Sequence, residues 1–277
     1  KRSFHPGGKA MLNVLIVGGG GREHALARKL LGSPRIEHLF IAPGNAGTAH
    51  LGTNVSIAAT DISALAEFAK NHRIHFTVVG PDEPLAAGIV DEFRRRDLKI
   101  FGPTRSAATI EWSKAFGKEV MRGVGVPTAP FHIFTVYQAA FDYIHRPDTR
   151  FPLVIKADGL ARGKGVFICT TPESAEEALE KLVLRQTRRT AGCIVVVEEY
   201  REGEEISVHA LTDGKTSVLF PPSRDYKRAL DGDAGKNTGG MGAFAPVSGV
   251  SDEILNDIKT KIVAPTLKAL AETNRPF

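Results

Sequence analysis

Phe151–Cys169 reads FPLVIKADGLARGKGVFIC, and the fold follows from how that stretch divides. A β-rich run ends at Lys156, a loop holding Gly159, Arg162, Gly163, Lys164 and Gly165 follows, and a second β-rich run returns. Glycine lets main-chain N–H groups come close to a polyanion, and the cations add charge-assisted contacts to phosphate oxygens. A Walker A loop would need G-x-x-x-x-G-K-[ST] between a strand and a helix. Here the glycines are one residue too close, Gly165 stands where Ser or Thr should be, and a strand follows. The spacing predicts a flap between antiparallel strands that closes over a nucleotide triphosphate. The plainer alternative is an ordinary hairpin whose loop is basic.

Upstream of the flap the pattern is that of a parallel α/β sheet. Leu12–Val17 is a β-branched apolar run ending in Gly18, Gly19, Gly20 and Gly21, and Arg22–Leu31 has helical spacing. The dinucleotide fingerprint fails, because its third glycine would fall on Glu23. The turn can still hold a single phosphate on N–H groups at a helix N-terminus, or be a tight turn with no ligand. The unit repeats: a strand at His38–Ala42, the loop Pro43–Thr48, and a helix capped by Asp61 and running to Asn71. A strand at Phe76–Val79 meets Gly80-Pro81-Asp82-Glu83-Pro84, a helix runs to Arg96, and a last strand covers Lys99–Phe101. Ligands of such sheets gather at the carboxyl ends of the strands, where these loops lie. A first α/β domain is expected over 11–110. Residues 1–10, basic and without an apolar run behind them, read as a leader or an expression remnant.

Ser106–Arg122 is expected to be one helix, carrying Lys114, and Pro127 and Pro130 open a second, smaller unit. That unit takes FHIFT, a helix near Val136–Ile144, the flap strands, and a helix from Glu173 to Leu184 behind Pro172. Cys193–Val197 reads as a strand breaking into the polar connector Glu198–Arg201, and Ile206–Thr212 as the next. Asp213-Gly214 is a hairpin signal, with a return through Thr216–Phe220. The stretch 224–242 has many glycines and charges and no hydrophobic period, which predicts a long loop, functional or disordered. Asp252–Leu270 reads as a final helix. The boundaries expected are 111–277 for the second domain, with a small lid subdomain at about 127–195.

Composition narrows the function classes. With 277 residues, 42% hydrophobic and 24% charged, the chain is expected to fold as about two globular domains. No apolar run approaches the ~18–20 residues that span a bilayer. The net charge of +5 could suggest nucleic acid, but aromatics are only 7% and the cations are dispersed or sit beside glycines. Small phosphorylated ligands explain the charge at least as well, and neither nucleic acid nor membrane is expected as a partner. Cys169 and Cys193 lie in or beside apolar runs without metal-ligand spacing and read as reduced core thiols of a cytoplasmic protein.

Nine segments in one order carry a family resemblance: VGGGGREHALA, APGNAGT, VVGPDEPL, KIFGPT, SKAFGKEV, VIKADGLARGKGV, VVEEYREGEEISV, SRDYKRALDGD and KNTGGMGAFAP. From Met11 to about Thr273 the chain resembles the phosphoribosylamine–glycine ligases (glycinamide ribonucleotide synthetases) of the ATP-grasp superfamily. The resemblance implies a Rossmann-like parallel α/β domain followed by α+β ATP-grasp subdomains that hold ATP between two sheets. It makes Lys156, Arg162 and Lys164 the catalytic cations. Lys114 and Lys156 would bind ATP phosphates under a flap that includes Gly159, Gly163 and Gly165. Glu198, Glu199, Tyr200 and Arg201 would form the adenine hinge, mostly by main chain, and Glu205 would take the ribose. Gly19, Gly20, Gly21, Arg22, Glu23, His24 and Asn45 would hold phosphoribosylamine, with Asp225, Lys227, Asn237, Thr238, Gly239 and Gly240 on the substrate side.

The implied reaction joins glycine to 5-phosphoribosylamine through a glycyl phosphate, with ATP and Mg²⁺ (or Mn²⁺) as cofactors, in purine biosynthesis. Phosphoryl transfer of this kind is positioning plus charge neutralisation and needs no covalent nucleophile. The family's metal ligands are expected beyond Phe277, so no metal ligand is assigned here. On that view the chain is truncated at its C-terminus, with weakened ATP binding and little or no turnover. Two alternatives stand beside it: a purine-pathway ATP-grasp ligase using formate or bicarbonate, and a non-catalytic nucleotide-binding fragment. The sequence leaves the oligomeric state open.

Overall fold

A computed structural model describes residues 11–159, 165–186, 194–232 and 234–277, apart from the side chains of 183–186, 236 and 237. The chain divides into two compact units, 1–108 and 109–277. The expected leader at 1–10 and Cys193 lie outside the described residues.

The first unit is a five-stranded parallel sheet in the order β3-β2-β1-β4-β5. Its strands are β1 (Leu12–Gly18), β2 (Ile36–Pro43), β3 (Thr53–Asn54), β4 (Phe76–Val79) and β5 (Ile100–Phe101). Val14 to Val17 are all buried, as a central parallel strand covered on both faces must be. Alternation sends Leu15 and Val17 to one core, with Leu65, Ala66 and Ala69 of α2 (Ile62–Asn71) and Ile89, Val90 and Phe93 of α4 (Ile89–Arg95). Val14 and Ile16 face the other, with Ala27 of α1 (Gly21–Leu31). Asp61 caps α2 as expected, its Oδ1 accepting from the Ala64 N–H at 3.1 Å, a bond worth about 1 kcal/mol.

The helix expected to run to Arg96 is two helices. Gly88, at φ +91°, ends α3 (Asp82–Ala87) and starts α4, a left-handed backbone that glycine adopts without a Cβ clash. The expected helix over Ser106–Arg122 is also broken. α5 (Arg105–Trp112) stops at Ser113, whose Oγ accepts from the Phe116 N–H at 3.1 Å and starts α6 (Lys114–Gly123). Serine competes for its own backbone in this way, and the apolar spacing carried across the break hid it.

In the second unit, β6 (Phe131–Phe134), β7 (Leu153–Ala157), β8 (Val166–Cys169) and β9 (Val195–Glu199) form an antiparallel sheet in the order β6-β9-β7-β8. The flap strands pair as expected, Leu153 opposite Cys169. Leu153, Ile155, Ala157, Val195 and Val197 pack against α7 (Tyr137–Ile144) and α8 (Pro172–Gln186). The opposite face carries Val154, Lys156, Val196 and Glu198 by strand alternation. The strand expected to break after Val197 continues through Glu199, because both edges of β9 are paired there.

The stretch expected as a long loop is a β-hairpin, β12 (Arg224–Leu230) against β13 (Ala234–Phe244). Its pairing slips twice, and it holds too few apolar residues to show a period of two. A smaller hairpin precedes it, β10 (Ala210–Thr212) with β11 (Ser217–Leu219), so the strand expected from Ile206 is short. The final helix is α9 (Asp252–Ile258), a π turn (Lys259–Val263) and α10 (Ala264–Glu272). Pro265 in the first turn of α10 has no N–H to give, which accounts for the wider turn before it.

Candidate functional site

In the first unit the loops at the carboxyl ends of the strands are tied together. The Asn45 side chain donates to Gly19 O at 3.0 Å and Gly20 O at 3.3 Å, and accepts from the N–H groups of Gly47 and Thr48. Arg22 donates to Gly80 O at 2.6 Å and lies 3.6 Å from Asp82. Glu23 is 4% exposed. Its carboxylate accepts from the Gly20 N–H at 2.5 Å and fills the space over Gly18 and Gly80. That N–H, expected to be open to a phosphate, is thus engaged within the turn. His24 lies over Gly47, which has no room for a Cβ beneath the ring. Gly21 at the start of α1 is exposed.

In the second unit Lys156 and Glu198 share the sheet face opposite the α7–α8 core, and Lys114 joins them from α6. Lys114 is the first residue of α6, and its Nζ donates to Gly159 O at 3.0 Å. Burial holds its ammonium below the usual lysine range; Asp158 opposes that, and nearby Lys156 adds to it. Asp158 follows β7 and accepts from the Ala115 N–H at 3.0 Å and from Ser113 Oγ at 3.1 and 3.2 Å. A carboxylate at a helix N-terminus is favoured by the helix dipole. The root of the flap and the start of α6 are thus joined by two contacts, Asp158 to α6 and Lys114 to Gly159. Gly165 returns the flap, its carbonyl accepting from the Ala157 N–H at 2.9 Å. Arg162, Gly163 and Lys164 lie outside the described residues.

Glu198 sits on the same face, buried. Lys156 Nζ is 3.0 Å from its Oε1 and Lys118 Nζ is 3.0 Å from its Oε2. Glu199 is exposed and paired with Arg201 at 3.0 Å, and Tyr200 is half-buried just past the strand. Glu205 is placed with a different group: Lys227 Nζ lies 2.7 Å from it and 3.3 Å from Asp225. The bond to Glu205 holds the Lys227 ammonium above its usual range, with Asp225 helping and burial opposing. Thr238 donates to Lys227 O at 2.9 Å and accepts from the Gly240 N–H, while Gly239 is exposed. Asn237 pairs with Arg228 through the ladder. Among the described residues no three His, Cys, Asp or Glu side chains converge to hold a metal.

Sequence reasoning missed Asp158 and Lys118. Lys118 lies four residues after Lys114, on one face of α6, and that spacing was the available signal. Asp158 had none beyond its place between Lys156 and Gly159.

The comparisons with known proteins agree along the chain. A family model described as phosphoribosylglycinamide synthetase, N domain, matches residues 12–111, and that of the synthetase's ATP-grasp (A) domain matches 112–277. The chain is 45% identical over 267 residues to the phosphoribosylamine–glycine ligase of Streptococcus pneumoniae and 46% over 266 residues to that of Ralstonia nicotianae. It is 32% identical to the crystal structure of the Thermotoga maritima phosphoribosylamine–glycine ligase, with a TM-score of 0.79. Each match covers 96% of this chain, which spans 63% of the length of each relative.

Proposed function

This chain belongs to the phosphoribosylglycinamide synthetase family, and from that premise we propose that it carries the nucleotide and amine sites of a ligase joining glycine to 5-phosphoribosylamine. ATP would convert the glycine carboxylate, a poor acyl donor, into a glycyl phosphate that the amine attacks, leaving ADP and phosphate. The observation that carries this reading is Lys156 paired with Glu198 on one sheet face, with Lys114 of α6 bound to Gly159 O at the root of the flap.

Each residue then has a chemical task. Lys114 and Lys156 neutralise ATP phosphate oxygens. Arg162, Gly163 and Lys164, with Gly159 and Gly165, would cover them and keep water from the acyl phosphate. Because Glu198 and Glu199 are in the ladder, the main-chain contact to adenine falls to Tyr200 and Arg201. Glu205, held by Lys227, supports a ribose contact. Asn45, Gly19, Gly21, Arg22 and His24 would hold phosphoribosylamine on a turn shaped by the Glu23–Gly20 bond, and Asp225, Lys227, Asn237, Thr238, Gly239 and Gly240 would serve the substrate side. The described residues offer no cluster for Mg²⁺, so none of these tasks is assigned to a metal. No helix among them is long and apolar enough to cross a membrane. The phosphorylated substrates proposed here are metabolites of the cytoplasm, where we place the protein.

The test is phosphate release from ATP·Mg²⁺ with 5-phosphoribosylamine present, comparing glycine, formate and bicarbonate, alongside ATP binding. Release that depends on glycine supports the ligase. Dependence on formate or bicarbonate would transfer the chain to another purine-pathway ligase, and binding without release on any acid, in a chain extended to the full length of its relatives, would make it a non-catalytic nucleotide module.

A further inference from the structure

The resemblance gives Glu198 a main-chain role, yet its side chain is the most enclosed charge of the second unit's site. At 6% side-chain exposure, a carboxylate needs partners to stay ionised. Its two oxygens are divided between two ammonium groups, Lys118 on Oε2 and Lys156 on Oε1. The two lysines are not equivalent. Lys118 is 12% exposed and packs over the Phe131 ring at 5.4 Å, whereas Lys156 is 26% exposed. Among the described residues Oε1 also has no hydrogen-bond partner, so the Lys156 contact is an ion pair off the hydrogen-bond line.

Register explains the contact. Val154 lies opposite Glu198 and Lys156 is two residues on, so the two charged side chains are diagonal neighbours on one sheet face.

We propose that Glu198 is a positioning residue for phosphate binding: its buried carboxylate holds the Lys156 ammonium at the root of the flap, and Lys118 is the fixed counter-cation. This rests on the nucleotide reading above. A lysine has a flexible four-carbon stem, and holding it in place before binding removes an ordering cost at the moment of binding. Without the carboxylate's charge, Lys118 and Lys156 repel each other and Lys156 leaves its place.

The experiment titrates ATP·Mg²⁺ and adenosine into the wild-type chain, Glu198→Gln and Lys118→Met, by calorimetry and NMR. Glu198→Gln is expected to lose about ten-fold in ATP affinity while adenosine affinity changes less than about two-fold. Removing a negative charge would by itself strengthen attraction for polyphosphate, so unchanged or tighter ATP binding overturns the proposal. Equal losses for ATP and adenosine also overturn it, since they mark a merely structural role. If Glu198→Gln does not fold, Lys118→Met decides. A loss under about three-fold is expected, because Glu198 still holds Lys156. A loss as large as that of Lys156→Ala would make Lys118 a phosphate ligand and overturn its assignment as counter-cation. Absence of ATP binding in the wild type is a separate result: it removes the nucleotide reading and this proposal with it.

Discussion

At the scale of single residues, charge placement decides most of what the chain can do, and its consequences differ with exposure. In the first unit, Arg95 and Arg96 both bond to Glu92 of α4 and hold its carboxyl down to about 2 from 4.5. A carboxyl lowered by folding adds stability above its unfolded value and loses it as pH falls through the folded one. The stability difference between wild type and Glu92→Gln should therefore be full above about pH 4.5 and vanish as pH approaches 2. Thermal melts of both proteins from pH 6 to 2 would check this, and a gap independent of pH would contradict it. Buried pairs behave differently. Breaking one strands a buried charge and is strongly destabilising, so folding of the Glu198 and Lys118 variants has to be checked before their binding is compared.

At the scale of elements, much was legible and the failures have physical causes. The parallel sheet could be read because β-branched runs ending in glycine alternate with helical spacing, and the Asp61 cap because the residue type demands it. Breaks at Gly88 and Ser113 were missed, since apolar periodicity continues on both sides of each. The β12–β13 hairpin was unreadable because its exposed, glycine-rich strands bury little and so show no alternation. Of the candidate site, Lys114 and Lys156 were expected together at the flap, Glu198 was expected for its main chain alone, and Asp158 was not expected. Asp158 and Glu198 work by cross-element contact, which spacing along the chain does not reveal.

Packing is tight at the junction of β1, β4 and α1. A Cβ on Gly80 would overlap the Glu23 carboxylate, which already fills the space beside Gly18. Gly80→Ala should cost about 1–3 kcal/mol in urea unfolding. Adding Glu23→Ala removes the obstacle, so the double variant should lose less than the sum of the two singles. Strict additivity would show that the two residues do not compete for that space.

At the scale of the whole molecule, each unit has its own core and its own cluster of chemistry-bearing loops. The family is shown along nearly all of the chain, while the ligase activity is a proposal, because the chain spans 63% of the length of its relatives. The claim on which that proposal rests is a nucleotide site built on Lys114, Lys156 and Glu198. Calorimetry of ATP·Mg²⁺ binding to the wild-type chain and to Lys156→Ala tests it most directly. The wild type is expected to show one saturable site, and the variant an affinity at least about ten-fold weaker. No binding by the wild type, or equal affinities in the two, would contradict it.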